Sequence, residues 1–183
     1  MPQEPVALTR RVVGAVTPGG GSYALRLRRV PLAEARLILA GRPTPAMQAH
    51  WHPEYPQPDS LDALAMLQAA HQRMVGELNI EPAAWWLDQI VANDVVVGDI
   101  GFHGPPDPAG SVEIGYNVVP AWQGRGVATR ACGAILQQAW RHGAVQVVAE
   151  TEPGNVASQT VLARNGFRLG ADRVWRIDRA EPT

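Results

Sequence analysis

The 183-residue sequence contains no lysine, and all 16 of its basic residues are arginine. A P-loop needs a lysine for its phosphates, and a pyridoxal-phosphate enzyme needs one for its Schiff base. Both chemistries are therefore excluded. The chain also has a single cysteine, Cys132, which excludes an intrachain disulfide. Such sparse cysteine usage is typical of a reducing cytoplasm, where we expect this protein to reside.

A strong net charge and long apolar runs are also absent. The 16 basic residues oppose 17 acidic ones, and the formal net charge of -1 gives no general attraction to nucleic acid or anionic membranes. No apolar run approaches the roughly 20 residues of a membrane span. Hydrophobic residues make up 46% of the chain, which is enough to bury a sizeable core. We therefore expect neither nucleic acid nor a membrane as a partner.

Turn signals and hydrophobic periodicity divide the chain into two parts. Residues 1–22 are predicted to form an N-terminal arm or an edge strand that ends in a Gly-rich turn. Residues 23–183 are predicted to form a single domain. It begins with an alternating strand, a helix after Pro31, a Pro-rich ordered loop over 42–58 and a helix that ends near Gly76. Three strands with short connections follow, which predicts an antiparallel meander.

The C-terminal half alternates between strands and helices. A helix from about Gly126 to Arg141 is followed by the strand VQVVAET, a short helix capped by Asn155 and a closing hairpin. A strand–helix–strand unit at this place puts EIGYNVV and VQVVAET parallel and adjacent. The predicted fold class is therefore α/β, with an α+β mixed sheet in which an antiparallel meander precedes a parallel strand–helix–strand unit.

The stretch AWQGRGVATR lies where a strand ends and a helix begins. Gly124 and Gly126 allow a ligand to approach the backbone, and the free N–H groups of a helix N-terminus carry a partial positive charge. Because Arg125 adds a cation, the turn suits a phosphate or a pyrophosphate. A tight turn without a ligand explains the glycines equally well. A dinucleotide fingerprint fits poorly, because Thr129 stands where its third glycine is needed.

A wider set of motifs resembles one family. The pattern Gln123-x-x-Gly126-x-Ala128 resembles the Gln/Arg-x-x-Gly-x-Gly/Ala motif of the GNAT superfamily, the acyl-CoA-dependent N-acyltransferases. Three segments are similar, in order, to the branch that acetylates the N-termini of ribosomal proteins: VGDIGFHGPPDPAGSVEIGYNVVPAWQGRGVATRA, NVASQTVLARNGF and FRLGADRVWR. The resemblance covers about residues 23–178. It implies a GNAT-like fold with splayed central strands and acetyl-CoA as the co-substrate.

The resemblance also implies where coenzyme A binds. The N–H groups of residues 123–129 would hold the pyrophosphate, and pantetheine would lie in a wedge where the strand of Val118 diverges from the strand of Val148. Asn155 would cap its helix and contact pantetheine as well. The implied cofactor-binding residues are Val118, Gln123, Gly124, Arg125, Gly126, Val127, Ala128, Thr129 and Asn155.

Transfer of an acyl group to an amine needs a base and a proton donor for the leaving thiolate. The family pattern implies that Glu113 is the base, and an ion pair with a neighbouring arginine is the alternative. Many members use a tyrosine of the last helix as the acid, but this chain has Leu162 there. Ser158 is the polar residue nearby, and the resemblance implies that it is the acid. The alternative is that its hydroxyl only donates a hydrogen bond to a backbone carbonyl of its own helix. Glu150 and Glu152 are expected to assist or to attract a cationic amine.

Other reactive side chains have simpler interpretations. The residues His50, His52, Glu54, Asp59 and His71 match no metal-ligand spacing, so no metal site is predicted. Cys132 lies on an apolar helix stripe and is expected to pack. The segment from Leu32 to Met74 is expected to shape the acceptor pocket, with aromatic walls from Trp51 and Tyr55.

The sequence therefore predicts an acetyl-CoA-dependent N-acetyltransferase that acts by direct attack of the amine, with Glu113 as general base. The acceptor is a small-molecule amine or a peptide N-terminus, with an α-amino group favoured over a lysine side chain. The alternative is a non-catalytic acyl-CoA-binding sensor or scaffold of the same fold, which the departure at Leu162 leaves open. A homodimer is compatible with the family resemblance.

Overall fold

The structure is a computed structural model that describes residues 10–16, 22–76 and 84–180, with side chains described over 23–71 and 84–180. The strands are β1 (Arg10–Val16), β2 (Ser22–Arg29), β3 (Leu87–Ala92), β4 (Val95–Phe102), β5 (Ser111–Val118), β6 (Gln146–Ala149), β7 (Arg168–Leu169) and β8 (Trp175–Asp178). The helices are α1 (Leu32–Leu39), α2 (Pro45–Gln48), α3 (Pro58–Gly76), α4 (Val127–Arg141) and α5 (Val156–Arg164).

The eight strands form one mixed sheet in the order β1-β2-β3-β4-β5-β6-β8-β7. The β3-β4-β5 meander is antiparallel, and β5 and β6 pair in parallel across the α4 crossover. The predicted mixed α/β fold, with a meander before a parallel strand–helix–strand unit, is therefore confirmed. At the N-terminal end, β1 forms the edge of the sheet and pairs antiparallel with β2.

The two parallel strands stay together over only part of their length. Their registered pairs run from Ser111 with Gln146 to Glu113 with Val148. Beyond Glu113, β5 continues to Val118, where it is paired with Gly98 of β4. The predicted splay of the central strands is thus present, and it leaves a wedge that opens beside the N-terminus of α4.

The two faces of the sheet are covered by different helices. Neighbouring side chains of a strand point to opposite faces, and two neighbours on β5 show which helix lies on each. The Tyr116 hydroxyl contacts Ser158 of α5, whereas the Asn117 amide contacts Ser60 of α3. On the α5 side, α4 buries an apolar stripe that includes Cys132, and burial raises the pKa of that thiol to about 12. Cys132 therefore packs in the core.

The region expected to be an ordered loop, 42–58, contains a short helix. Thr44 caps α2 by accepting a hydrogen bond from the Met47 N–H at 3.3 Å, and Pro45 occupies the first helical position. Trp51 then forms an isolated parallel bridge with Val96. No helix within the described ranges is both long enough and apolar enough to cross a membrane.

Candidate active site

Two cavities lie on either side of the C-terminal half of β5. The first, of about 440 Å³, is lined by the turn before α4, by the end of β5 and by α5, and we call it the loop cavity. The second, of about 370 Å³, lies between α3 and the sheet, and we call it the acidic cavity. The residues that line both are Asp59, Tyr116, Asn117, Asn155 and Ser158. The two cavities therefore meet at the end of β5.

Backbone N–H groups face the loop cavity. Gly124 and Gly126 have φ of 71° and 76°, a left-handed conformation that favours glycine, and Gly126 caps α4 without a side-chain hydrogen bond. The backbone ladder of α4 begins with Arg130 N–H donating to the Gly126 carbonyl at 3.2 Å. The N–H groups of residues 127–129 precede that ladder and are the free donors of the helix N-terminus.

The predicted cofactor residues converge on this cavity with one exception. Those that line it are Val118, Gln123, Gly124, Gly126, Val127, Ala128, Thr129 and Asn155. Arg125 does not line it: its guanidinium lies 5.0 Å from the centre of the Trp122 ring, and its carbonyl accepts a hydrogen bond from Tyr23 at 2.9 Å. The Arg125 side chain therefore lies over Trp122, which itself lines the loop cavity.

The acidic cavity is lined by carboxylates from both of its walls. They are Asp59, Asp62, Asp99, Glu150 and Glu152, and His103 is the basic side chain that lines the cavity with them. No arginine stands among the described residues that line it. A cavity lined by charge of one sign attracts ligands of the opposite sign, so this cavity favours cations.

The expected aromatic walls of the acceptor pocket are not found. Of the residues expected from 32–74, Asp59 lines the acidic cavity, whereas His50 and Trp51 line a separate cavity. Tyr55 is buried and accepts a hydrogen bond from the Gln89 amide at 3.1 Å. The expectation fails because α3 covers this face of the sheet, so one face of that helix forms the wall and the preceding loop packs elsewhere.

Glu113 is paired with a histidine. One of its carboxylate oxygens lies 3.1 Å from Nδ1 of His103, and this hydrogen bond lowers the pKa of Glu113. Glu113 lines neither cavity, but His103 lines the acidic one. The imidazole lies over Gly115, where an added Cβ would be 2.6 Å from Nε2. The partner of Glu113 is thus the imidazole of His103, whereas the alternative to a catalytic role that the sequence left open was an ion pair with a neighbouring arginine.

Ser158 lies at the meeting point of the cavities and is bonded to a tyrosine. Its Oγ is 2.8 Å from the Tyr116 hydroxyl, and its N–H donates to the Asn155 side chain at 3.0 Å. The hydroxyl bonded back to the helix belongs to Thr160, which donates to the Val156 carbonyl at 2.7 Å. Burial raises the pKa of Tyr116 to about 12. A tyrosine hydroxyl therefore reaches the site from β5.

Leu162 of α5 stands where the family resemblance implied a tyrosine as the general acid in many members. Its side chain is fully buried in the core. Sequence reasoning identified this departure but missed both Tyr116 and His103. Each lies inside a segment that the resemblance already covered, on or directly after a strand that borders the site. Their positions on these strands were the available signal.

A row of polar side chains crosses the sheet beneath the acidic cavity. Arg28, Gln89, Asp99 and Asn117 occupy opposite positions on β2, β3, β4 and β5. At one end, the Arg28 guanidinium donates to the side-chain oxygen Oε1 of Gln89 at 2.9 Å and forms an ion pair with Glu34 at 2.7 Å. At the other end, the Asn117 amide donates to Oδ1 of Asp99 at 2.8 Å. The row therefore runs across the sheet from a partly buried ion pair to the place where the cavities meet.

The residues that were considered as metal ligands are dispersed. His52 lies 3.5 Å from Glu54, and His71 packs edge-on against Trp86 with ring centres 5.6 Å apart. Within the described part of the chain, no group of three or more potential ligands could hold a metal ion.

The splayed parallel strands, the open helix N-terminus beside them and the adjoining acidic cavity are the arrangement expected of an acyltransferase that uses an acyl-CoA. A family model described as "Acetyltransferase (GNAT) domain" matches residues 24–168. The chain therefore belongs to the GNAT family, and it is an acetyl-CoA-dependent acetyltransferase. A search of curated proteins finds no match.

Solved structures similar to this chain include RimJ of Mycobacterium smegmatis in complex with CoA-disulfide, with 23% identity and a TM-score of 0.57 over 92% of this chain and 87% of that one. RimL, a ribosomal L7/L12 alpha-N-protein acetyltransferase in complex with coenzyme A, has 17% identity and a TM-score of 0.59 over 92% and 98%. YncA of Salmonella typhimurium with acetyl-CoA has 21% identity and a TM-score of 0.56 over 86% and 95%. Similarity at this level shows the shared fold.

Proposed function

We propose that the protein transfers the acetyl group of acetyl-CoA to a primary amine, carried by a small molecule or a protein N-terminus. The observation that carries this proposal is the meeting of the two cavities at Tyr116, Asn117 and Ser158. A thioester in one cavity and an amine in the other would approach each other there. The amine would attack the thioester directly, so that no acyl-enzyme intermediate forms.

The loop cavity fits the co-substrate. The free N–H groups of residues 127–129 and the positive end of α4 suit a pyrophosphate, and the two glycines leave its approach open. In this proposal, pantetheine extends along the wedge past Val118 and Asn155, which line the same cavity. The thioester then reaches the end of β5.

In the proposed chemistry, Glu113 acts as the base through His103. Nε2 of His103 takes the proton of the attacking amine as the new C–N bond forms. Glu113 accepts the hydrogen bond of Nδ1 and stabilises the resulting imidazolium, as its 3.1 Å contact allows. Because Glu113 lines neither cavity and His103 does line the acidic one, this arrangement explains how a carboxylate at position 113 serves an amine it does not touch.

Ser158 is the proposed proton donor to the leaving group. As the C–S bond breaks, its hydroxyl protonates the thiolate, the Tyr116 hydroxyl at 2.8 Å replaces the lost proton, and the tyrosine takes up a proton from solvent before the next turnover. This pair supplies the function that a tyrosine at position 162 would otherwise have, so the departure at Leu162 does not favour a non-catalytic sensor.

The proposed acceptor is an α-amino group. An α-amine has a pKa of roughly 7.7–8.0, against about 10.4 for a lysine amine, so it loses its proton more readily near neutral pH. RimL, which shares the fold, is described as acting on an alpha-N position of a ribosomal protein. The five carboxylates around the acidic cavity suit the cationic form in which such an amine arrives.

A competition between two peptides tests this proposal. One peptide has a free N-terminus and no lysine, and the other has a blocked N-terminus and one lysine; acetylation is read by mass spectrometry and thiol release from acetyl-CoA. We expect acetylation of the first peptide. Acetylation of the second would overturn the α-amine assignment, and acetylation of a small amine alone would exclude peptides. Acetyl-CoA binding without turnover on any amine would support the sensor.

A further inference from the structure

Asp99 carries a buried oxygen without a partner. The residue is 1% exposed, and its Oδ1 accepts a hydrogen bond from the Asn117 amide at 2.8 Å. Its Oδ2 has no hydrogen-bond partner among the described residues. A buried carboxylate oxygen that is left unpaired is costly, so such groups point to a ligand that pairs with them.

Among the described side chains, no positive charge lowers the pKa of this carboxyl group. Burial is the main cause that raises its pKa, to about 7, and the charge of Asp59 on α3 acts in the same direction. The hydrogen bond from Asn117 and the nearby Ser60 hydroxyl, which itself is bonded to Asn117, lower the pKa, and the phenol of Tyr55 lies close enough to interact with its charge. The surroundings of Asp99 are thus acidic or neutral on each element that faces it.

The position of Asp99 connects it to the reacting groups. It lines the acidic cavity, and Asn117, to which it is bonded, lines both cavities. Asp99 therefore lies one side chain away from the place where thioester and amine meet. His103 covers Gly115, which is paired with Gly101, the next residue on the same face of β4 after Asp99.

We propose that Asp99 binds the acceptor's amine in its protonated form, through a hydrogen bond from the ammonium group to Oδ2. This inference rests on the proposed function and names the class of acceptor: a primary ammonium cation. The ammonium supplies both the missing donor and the missing positive charge. Asp99 is then a specificity-determining residue that holds the nitrogen beside His103, which also lines the acidic cavity. The bound ammonium first releases one proton to solvent, and the neutral amine then attacks and gives its second proton to His103.

Kinetics of an isosteric variant tests this assignment. Asp99→Asn keeps the size and removes the charge, and Asp94→Asn is the matched control on the exposed turn between β3 and β4, where asparagine tolerates the left-handed backbone. With the lysine-free peptide, we expect the Asp99 variant to raise the acceptor KM about tenfold or more, since charged hydrogen bonds contribute at least that much. The KM for acetyl-CoA stays unchanged. An unchanged acceptor KM, or a fall in kcat alone, would overturn the proposal.

A second readout does not depend on turnover. Methylammonium chloride should raise the melting temperature of the wild-type protein at pH 8, whereas tetramethylammonium chloride, which has the same charge and no N–H donor, should not. Asp99→Asn should respond to neither salt. Equal responses to both salts, or an equal response of the variant, would refute the assignment. A wild-type protein that shows this selective response but acetylates no amine would keep the amine site and contradict the proposed function.

Discussion

Replacement of Asp99 by asparagine should stabilise the protein, and the gain should depend on pH. The pKa of this carboxyl group is raised from 3.8 to about 7 in the folded state, mainly by burial. At a pH below 3.8 the carboxyl group is neutral in both states. As the pH rises towards 7, it ionises in the unfolded chain but not in the folded one, so the wild-type protein loses stability. Asparagine does not titrate, so the variant escapes this loss.

The size of the effect follows from the same values. The interval between 3.8 and about 7 corresponds to roughly 4 kcal/mol of stability, because each pKa unit is about 1.36 kcal/mol. Part of that loss is already present at pH 5. The free energy of unfolding of the variant minus that of the wild type should therefore be roughly 3 kcal/mol larger at pH 8 than at pH 5.

Urea unfolding at pH 5, 6, 7 and 8 measures this difference directly. Both proteins are unfolded in the same buffers, and subtraction removes the titration of all other groups. Asp94→Asn, which removes an exposed carboxylate paired with Arg26, is unfolded in the same buffers as the control for the loss of a carboxyl group elsewhere. A constant difference for Asp99→Asn would refute the argument, since it would mean that the folded carboxyl group ionises at its ordinary pKa.

Three further predictions concern the chemistry. Glu113→Gln should keep coenzyme A affinity and lose on the order of 10²–10⁴ in rate, with a smaller loss at high pH; a small loss that does not vary with pH would move the base elsewhere. Ser158→Ala should lower kcat with little change in the KM for acetyl-CoA, and an equal kcat would remove it from the mechanism. Ala128→Pro, in the first turn of α4, should weaken coenzyme A binding in calorimetry at unchanged helix content, and wild-type affinity would refute the N–H contact.

The parts of the fold that local sequence signals specify were predictable. The turn at Gly124 and Gly126 and the cap at Asn155 each depend on the conformational preferences of a few adjacent residues. The parallel pairing of β5 and β6 follows from the connection between them. These features need no knowledge of side-chain contacts between distant segments.

The chemical pairs of the site could not be predicted in this way. Tyr116 and Ser158 are 42 positions apart, and Asp99 and Asn117 are 18 positions apart. Each pair depends on strand register, and a slip by one residue would turn every side chain of a strand to the other face. The sequence identified Glu113 and Ser158 as single residues, whereas their partners are fixed by the assembled sheet.

Asp62, on the α3 wall of the acidic cavity, was missed for a related reason. The 32–74 segment contains both aromatic and acidic residues, and the packing of α3 on the sheet decides which of them face the cavity. Its aromatic residues Trp51 and Tyr55 precede the helix and pack elsewhere, and Asp59 and Asp62 on its first turns line the cavity.

The two cavities are lined largely by different elements, α3 for the acidic cavity and the turn before α4 for the loop cavity, and this has a consequence for how such proteins diversify. Asp62, Ala63, Met66 and Leu67 of α3 line the acidic cavity without lining the loop cavity. Met66 is 48% exposed and Asp62 is also exposed, so both positions can change with little effect on stability. Under the proposed function, point substitutions one helical turn apart would change the lining of the acceptor cavity and leave the residues of the loop cavity unchanged. New acceptors would then arise through changes on one exposed face of α3, while the turn proposed to bind the acetyl donor is kept.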